Sequence, residues 1–265
     1  MSRVEKHYDS DPQFEWDRLE RHRTEFAVTM RVLNEYLPLP PAQVIDIGCG
    51  PGRYSIALAK KGYTVTLADL SSASLDYAIE KAQGEGITFA AVHHISALKL
   101  EAIENSSFDA VLLMGPLYHL LTPDERLMAL GEAHRILKSD CLLFAAFITR
   151  FAPFRYASAF EPEWVTDNGD YSLSVLETGK HTQGKSFPDA YFTHPDEIEP
   201  LMEEARFSKV LLIGVEGIVA GHEETVNDLT GEGWDAWVDL NYRLGKEPTL
   251  YGASDHLLYV GRKVG

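Results

Sequence analysis

The segment VIDIGCGPGRYSIALA, residues 44–59, constrains the fold of this chain more than any other stretch. An apolar, strand-forming run leads directly into Gly48, Gly50 and Gly52, and a helix-forming run follows. A glycine-rich turn between a buried strand and a helix lets a ligand approach the main chain, beside the free N–H groups of the first helical turn. The order is GxGxG, without the spacing of GxGxxG, which counts against a nicotinamide dinucleotide. The segment therefore predicts a strand, a ligand-binding turn and a helix.

Strand-like and helical runs alternate after the prolines at positions 38, 40 and 41. Strands are predicted near residues 44–47, 64–68, 88–92, 110–114, 142–148, 210–215 and 256–261. Helices are predicted near residues 54–60, 72–83, 122–136 and 195–205. Alternation of this kind predicts an α/β, Rossmann-like fold, with a mostly parallel sheet between helices on both faces.

The remaining segments divide the chain into further units. Residues 13–36 show one apolar stripe of helical period and predict one helix, so residues 1–37 form a lid region. Residues 38–150 and 191–265 form the core. Residues 151–190, rich in aromatic residues without a clean period, form a cap insertion, and residues 221–252 a second irregular cap segment.

Asp69 ends the second predicted strand, about 20 residues after the first glycine. A carboxylate at this place can accept hydrogen bonds from both hydroxyls of an unphosphorylated ribose. The alternative is that Asp69 only caps the next helix, a role that Ser71 or Ser72 could equally fill. The coincidence with the glycine turn favours the ribose.

The charge balance narrows the classes of partner. The chain has 24 basic and 40 acidic residues, a net charge of −16, which repels polyanions and makes nucleic acid an unfavourable partner. No targeting leader precedes position 10 and no apolar run approaches the roughly 20 residues of a membrane helix. Cys49 and Cys141 match no disulfide or metal-ligand spacing. We therefore expect a cytoplasmic protein without a metal or a membrane contact.

The motif series VIDIGCGPG, LADLS and SSFDAVLLM, within residues 44–148, resembles that of class I S-adenosylmethionine-dependent methyltransferases. The most similar type is the small-molecule group that includes ubiquinone- and menaquinone-biosynthesis enzymes. The resemblance implies a seven-stranded sheet with a reversed last strand. It also implies S-adenosylmethionine across the carboxyl ends of the first strands, with S-adenosylhomocysteine as product.

The resemblance also implies which residues contact the cofactor. The glycine turn matches the family's turn beside the methionine part, and Asp69 matches the ribose-binding acid. The other implied cofactor-binding residues are Asp46, Leu70, Ser96, Ala97, Met114 and Gly115. Ser96 stands where such proteins often carry an aspartate for the adenine amino group, with the Ala97 backbone as a further contact.

Arg23 lies inside the apolar stripe of the predicted first helix, where an unpaired charge is expensive. A helix before the first strand often covers the cofactor in methyltransferases of this build, so Arg23 is predicted to bind the cofactor carboxylate. The alternatives are a snorkelling side chain or an ion pair at the edge of the core. Arg53, just after the glycine turn, is a second candidate.

The residues predicted to contact the methyl acceptor lie outside the glycine turn. His119 is a candidate general base, and Tyr118, beside it, is a second candidate catalytic residue. Alternatively, His119 only orders the loop after the fourth strand and Tyr118 is a packing residue. The candidate acceptor-binding residues are Tyr156, Trp164, His181 and Trp234.

The sequence therefore predicts an S-adenosylmethionine-dependent methyltransferase that acts on a small molecule, mainly by positioning and desolvation. One alternative is a methyltransferase of tRNA or protein. The other is a non-catalytic protein of the same fold that binds the cofactor or a partner.

Overall fold

A seven-stranded sheet forms the centre of the computed structural model, which describes residues 2–183 and 187–265. Its order is β3-β2-β1-β4-β5-β9-β8, and β9 runs in the direction opposite to the other six strands. The strands are β1 Gln43–Ile47, β2 Thr64–Asp69, β3 Ala91–His94, β4 Phe108–Leu113, β5 Leu137–Ile148, β8 Phe207–Gly214 and β9 His256–Lys263, and a separate ribbon pairs β6 Lys180–His181 with β7 Ala190–Tyr191. This confirms the predicted Rossmann-like sheet with a reversed last strand.

Helices cover the sheet and its carboxyl-terminal edge. They are α1 Arg3–Ser10, α2 Pro12–Arg21, α3 Arg23–Tyr36, α4 Arg53–Lys60, α5 Ser72–Gly84, α6 Pro123–Ile136, α7 Ala152–Phe160, α8 Trp164–Asp167, α9 Gly169–Thr178, α10 Pro195–Glu204, α11 Glu223–Asn227 and α12 Gly231–Leu244. Short 3-10 helices span Pro116–His119, Gly217–Val219 and Pro248–Ala253. Within the described ranges, none of the helices combines the length and the apolar character needed to cross a bilayer.

The core has two parts because successive side chains of a strand point to opposite faces of the sheet. On one face, Ile45 and Ile47 of β1 pack in a cluster that includes residues of α6 and α10. On the other face, Val44 packs in a cluster that includes residues of α3, α4 and α5. This packing fixes the carboxyl ends of β1, β2 and β4 side by side.

Several elements differ from the prediction, among them β5, which begins at Leu137 rather than near residue 142. The predicted single helix over 13–36 breaks at His22, which has non-helical dihedral angles (φ −107°, ψ 58°) and separates α2 from α3. The third strand starts at Ala91, later than predicted. The predicted irregular segment 151–190 contains α7, α8 and α9, which are short and bury few residues each. Helices of this kind leave little periodic signal in a sequence.

Candidate cofactor and acceptor site

The glycine turn connects the end of β1 to the start of α4, and its three glycines have positive φ angles of +71° (Gly48), +51° (Gly50) and +81° (Gly52). A Cβ on Gly48 would lie 2.5 Å from Pro116 Cδ, and one on Gly52 would lie 2.8 Å from Ala78 Cβ. A Cβ on Gly50 would meet nothing within 4 Å. Protein packing thus requires two of the glycines, whereas Gly50 borders open space.

Asp69 lies at the carboxyl end of β2, beside this turn. Its Oδ2 accepts from Gly50 N at 2.7 Å and its Oδ1 accepts from Ser71 N at 2.8 Å. Burial raises the pKa of Asp69, and the backbone donors oppose that rise. The side chain of Ser71 caps α5 by accepting from Ser74 N at 3.0 Å. Asp69 is therefore not needed as the cap of that helix.

Asp46 is a buried carboxyl group, 2% exposed, one position before the end of β1. Ser55 Oγ donates to its Oδ2 at 2.6 Å. Burial raises the pKa of Asp46 to about 7. The ion pairs found among the described residues do not include Asp46, so it is a candidate partner for a cationic ligand group.

One cavity of about 980 Å³ joins these residues, near the top of the ~300–1,000 Å³ range of small-molecule pockets. The predicted cofactor-binding residues on its wall are Asp46, Gly48, Gly50, Asp69, Leu70, Ser96, Ala97, Met114 and Gly115. Residues of the cap also line the cavity: Ala152, Tyr156, Ala157, Trp164, Val175, His181 and Phe187, with Ile148 and Phe192 just outside the cap. Helices α1 and α2 contribute Tyr8, Phe14 and Arg18.

His119 ends the 3-10 helix that follows β4 and lines the cavity. Its Nδ1 lies 3.0 Å from the carbonyl oxygen of Asp189, so Nδ1 carries the hydrogen. Its Nε2 therefore accepts, and Tyr8 Oη donates to it at 2.7 Å. Burial lowers the pKa of His119 to about 4. The imidazole is neutral at pH 7 and is a hydrogen-bond acceptor at the cavity wall.

Tyr118 also lines the cavity, and its ring packs edge-on against His119 and His256, with centroids 4.8 and 6.4 Å apart. Burial raises its pKa, so its hydroxyl stays protonated and can donate to a ligand. Its packing and its position on the wall are both compatible with the predicted role.

Arg23 does not reach the cavity, against its predicted role. Its guanidinium stacks 4.1 Å from the centroid of the Trp234 ring and donates to Asn227 O. The break at His22 redirects the chain, so that Arg18 lies at the wall in its place. Trp234 is not on the wall of the cavity either, because α12 packs elsewhere against α3.

Arg18 and Arg53 are the arginines on the described wall. Arg18 binds both oxygens of Glu25, at 2.6 and 3.0 Å. Arg53 donates to Glu20 at 3.2 Å. Arg53 was a candidate from the sequence, whereas Arg18 was missed because the helix break at His22, one turn after it, was not predicted.

His181 holds the cap in place with both ring nitrogens. Nδ1 lies 2.9 Å from Tyr171 Oη and Nε2 lies 3.1 Å from Phe187 O. The ring therefore has no free nitrogen for an acceptor. Tyr156 and Trp164 line the cavity as predicted, and their contact with an acceptor stays a prediction.

A cluster of paired charges lies beside the cavity. Glu25, Glu216 and His256 bring ligand atoms within 4.8 Å of one another, a spacing that a cation could use. Glu25 is held by Arg18, and Glu216 Oε1 lies 2.5 Å from His256 Nδ1. Counted together with Arg18, the two cations and two carboxylates form two ion pairs and carry no net charge.

Comparison with known proteins identifies the family. Residues 44–140 match a family described as a methyltransferase domain. The ubiquinone biosynthesis O-methyltransferase of Paracidovorax citrulli is 30% identical over 179 residues, which cover 68% of each chain. A crystal structure of an S-adenosylmethionine-dependent methyltransferase from Methanosarcina mazei aligns with a TM-score of 0.58 at 19% identity, covering 88% of this chain and 97% of that one.

Magnesium protoporphyrin IX methyltransferase from Synechocystis, solved with bound S-adenosylmethionine, aligns with a TM-score of 0.57 at 14% identity, covering 98% of this chain and 95% of that one. The open side of Gly50, the unpaired buried carboxyl of Asp46 and the strand-end carboxylate of Asp69 fit this cofactor. The chain belongs to the class I S-adenosylmethionine-dependent methyltransferases, and its cofactor is S-adenosylmethionine.

Proposed function

We propose that this enzyme methylates a hydroxyl group of a small, largely apolar molecule. The observation that supports this proposal most strongly is that one cavity of about 980 Å³ joins the predicted cofactor-binding residues to the apolar wall formed by the cap and to His119. The relatives named ubiquinone biosynthesis O-methyltransferases support oxygen as the atom methylated.

Within that cavity, each group would hold one part of the cofactor. Asp69 would accept from the ribose hydroxyls, and Asp46 would face the amino group, because an ammonium compensates a buried carboxylate. Leu70, Ser96 and Ala97 would border the adenine. When bound, S-adenosylmethionine supplies an electrophilic methyl group on a sulfonium sulfur.

The protein's part in the transfer is to orient the acceptor, exclude water and take up a proton. The cap wall excludes water, which favours a reaction between groups held close together. The neutral His119 would take the proton that the acceptor hydroxyl loses when that hydroxyl displaces the Tyr8 hydroxyl from Nε2, since Nδ1 already donates to Asp189 O. As the hydroxyl oxygen gains a methyl group, the proton that it still carries becomes strongly acidic, so even a weak base is sufficient to remove that proton.

The cofactor assignment is tested by isothermal titration with S-adenosylhomocysteine. We expect binding by the wild type and a loss of about 10- to 100-fold in affinity for Asp69→Ala, the size of charge-assisted hydrogen bonds. Asp109→Ala is the matched control, because Asp109 bonds Gln43 N and Lys138 away from the cavity. Absence of binding by the wild type would contradict the proposed function, and an unchanged affinity for Asp69→Ala would remove the ribose role.

The acceptor class is tested by turnover of S-adenosylmethionine with catechols and phenols, against amines and thiols of similar shape. We expect product only with the hydroxyl compounds. Methylation confined to the amines or thiols would show that oxygen is the wrong atom.

A further inference from the structure

Two consecutive charged residues, Asp255 and His256, line the cavity where β9 begins. Because β9 runs opposite to the parallel strands, its first residue lies at their carboxyl ends, where His256 pairs with Ile148 of β5. The cofactor-binding residues on the wall come from the ends of β1 to β4 and the loops after them, on the other side of β5. The position of Asp255 and His256 beyond β5 therefore points to the acceptor end of the cavity.

The side chain of His256 has one N–H group that no described residue uses. Its Nδ1 lies 2.5 Å from Glu216 Oε1 and 3.9 Å from Glu25 Oε2. Burial alone would lower the pKa of the ring, but these carboxylates raise it to about 9, so the ring is protonated at pH 7. Nε2 has no hydrogen-bond partner in the described part of the chain, and it is not among the unpartnered polar atoms that the protein encloses fully. The imidazolium therefore offers a hydrogen to the cavity.

The side chain of Asp255 has one free oxygen. Arg155 Nε and Nη2 donate to its Oδ1 at 2.9 and 2.7 Å, which fixes the carboxylate. Burial raises the pKa of Asp255, and the Arg155 guanidinium opposes that rise. Within residues 2–183 and 187–265, nothing donates to Oδ2, which is likewise not fully enclosed. Oδ2 therefore offers a hydrogen-bond acceptor beside the donor of His256.

A hydroxyl group can use both free atoms at once, because it accepts one hydrogen bond and donates another. An ether or carbonyl oxygen would bond to His256 and leave Oδ2 of Asp255 without a donor, which is costly for a charged group inside a cavity. The Tyr118 ring packs against both His119 and His256, with centroids 4.8 and 6.4 Å away. One side chain thus separates the base from this pair, so a single small molecule can reach both.

We propose that Asp255 and His256 bind a second hydroxyl group of the methyl acceptor, one that is not methylated, and so determine which hydroxyl reacts. This inference rests on the proposed function, in which His119 takes the proton of the reacting hydroxyl. An acceptor held at this pair by one hydroxyl presents the other to His119 in a fixed orientation. The substrate class is therefore a small molecule with two neighbouring hydroxyl groups.

The test uses Asp255→Asn, which keeps one oxygen for Arg155 and replaces the free Oδ2 by an amide group that donates. Its readout is kcat/KM for catechol against 2-methoxyphenol, whose second oxygen accepts but cannot donate. Wild type should prefer catechol by about 10- to 100-fold, the effect of a charged group left without its partner. Asp255→Asn should lower this preference to about threefold or less, since its amide can donate to the ether oxygen.

Asp109→Asn is the matched control, because Asp109 also pairs with a cation, Lys138, but lies outside the cavity. It should keep the wild-type preference for catechol. The affinity of Asp255→Asn for S-adenosylhomocysteine should stay within about twofold of wild type. An unchanged catechol preference in Asp255→Asn would overturn the proposal. A loss of about tenfold in affinity for S-adenosylhomocysteine would also overturn it, by showing that Asp255 holds the cofactor.

His256 is tested by the nitrogen NMR spectrum of its ring in wild type mixed with S-adenosylhomocysteine, with the signals identified by their loss in His256→Gln. Catechol should shift the Nε2 resonance, and phenol should not, because its one hydroxyl goes to His119. A resonance that responds to both compounds or to neither would contradict the proposal. If wild type methylates none of these compounds, the proposed function fails, while the spectrum still decides whether the pair binds a second hydroxyl.

Discussion

Gly48, Gly50 and Gly52 look equivalent in the sequence, and all three adopt positive φ angles. Neighbouring atoms of Pro116 and Ala78 exclude a side chain at the first and the third. At Gly50 the space is open and belongs to the cavity. At Gly48 and Gly52, neighbouring protein atoms leave no room for a side chain. At Gly50, glycine is required because of the positive φ angle and because a ligand approaches the backbone there.

This distinction predicts separate effects on stability and on binding. Gly50→Ala should lower the free energy of unfolding by about 1 kcal/mol, the usual cost of a left-handed alanine, and should weaken S-adenosylhomocysteine binding at least tenfold. Gly86→Ala is the control: it has φ +71° and open space, but lies outside the cavity. It should cost the same stability and leave the affinity unchanged, as urea unfolding and calorimetry would measure. Equal affinities for the two variants would contradict a ligand contact at Gly50.

Single residues differ in how far the sequence could predict them. Asp69 was found because the end of a strand and a glycine turn are both visible locally. Arg23 was misplaced because the predicted helix lacked the break at His22. Tyr8 was missed as a partner of His119, 111 positions away, because no periodic pattern connects residues so far apart.

At the scale of elements, a network of buried charges ties the lid to the sheet. Arg18 of α2 binds Glu25 of α3, while His256 opens β9 and pairs with Glu216, two residues after β8. The carboxylates of Glu216 and Glu25 raise the pKa of His256 to about 9, against the effect of burial. The same pairing lowers the pKa of Glu216 to about 2.

The pH dependence of stability follows from the direction of these shifts. His256 has a folded-state pKa of about 9 against an ordinary value of 6.5, so its stabilisation is complete below pH 6.5 and is lost as the pH rises through 9. We expect the free energy of unfolding of wild type to fall by about 3 kcal/mol over that range, at about 1.36 kcal/mol per pKa unit.

The measurement is chemical unfolding at several pH values between 6 and 10. His256→Gln should be less stable than wild type at pH 6 and should lose less stability toward pH 10. His222→Gln, at an exposed position, is the control and should follow wild type. A parallel decline in wild type and His256→Gln would show that the pair does not contribute.

At the scale of the whole molecule, the net charge of −16 predicts which acceptors the enzyme rejects. Phosphate contacts dominate the affinity of proteins for nucleic acid, and this surface repels them. Fluorescence anisotropy with labelled tRNA should therefore show no binding at about 0.15 M salt, where S-adenosylhomocysteine still binds. Affinity for tRNA that falls steeply with salt would instead favour the alternative of tRNA methylation.

The sequence by itself determined the sheet, the glycine turn and the family. Those features depend on hydrophobic periodicity and on contacts between residues of one strand–turn–helix unit. Both can be recognised directly in the order of the residues. Only the tertiary structure decided that Tyr8 meets His119, that Arg18 replaces Arg23 at the wall and that Glu216 pairs with His256. These contacts depend on how the lid and the cap pack against the edge of the sheet. The packing angle between elements that are distant in the sequence cannot be predicted from a local residue pattern.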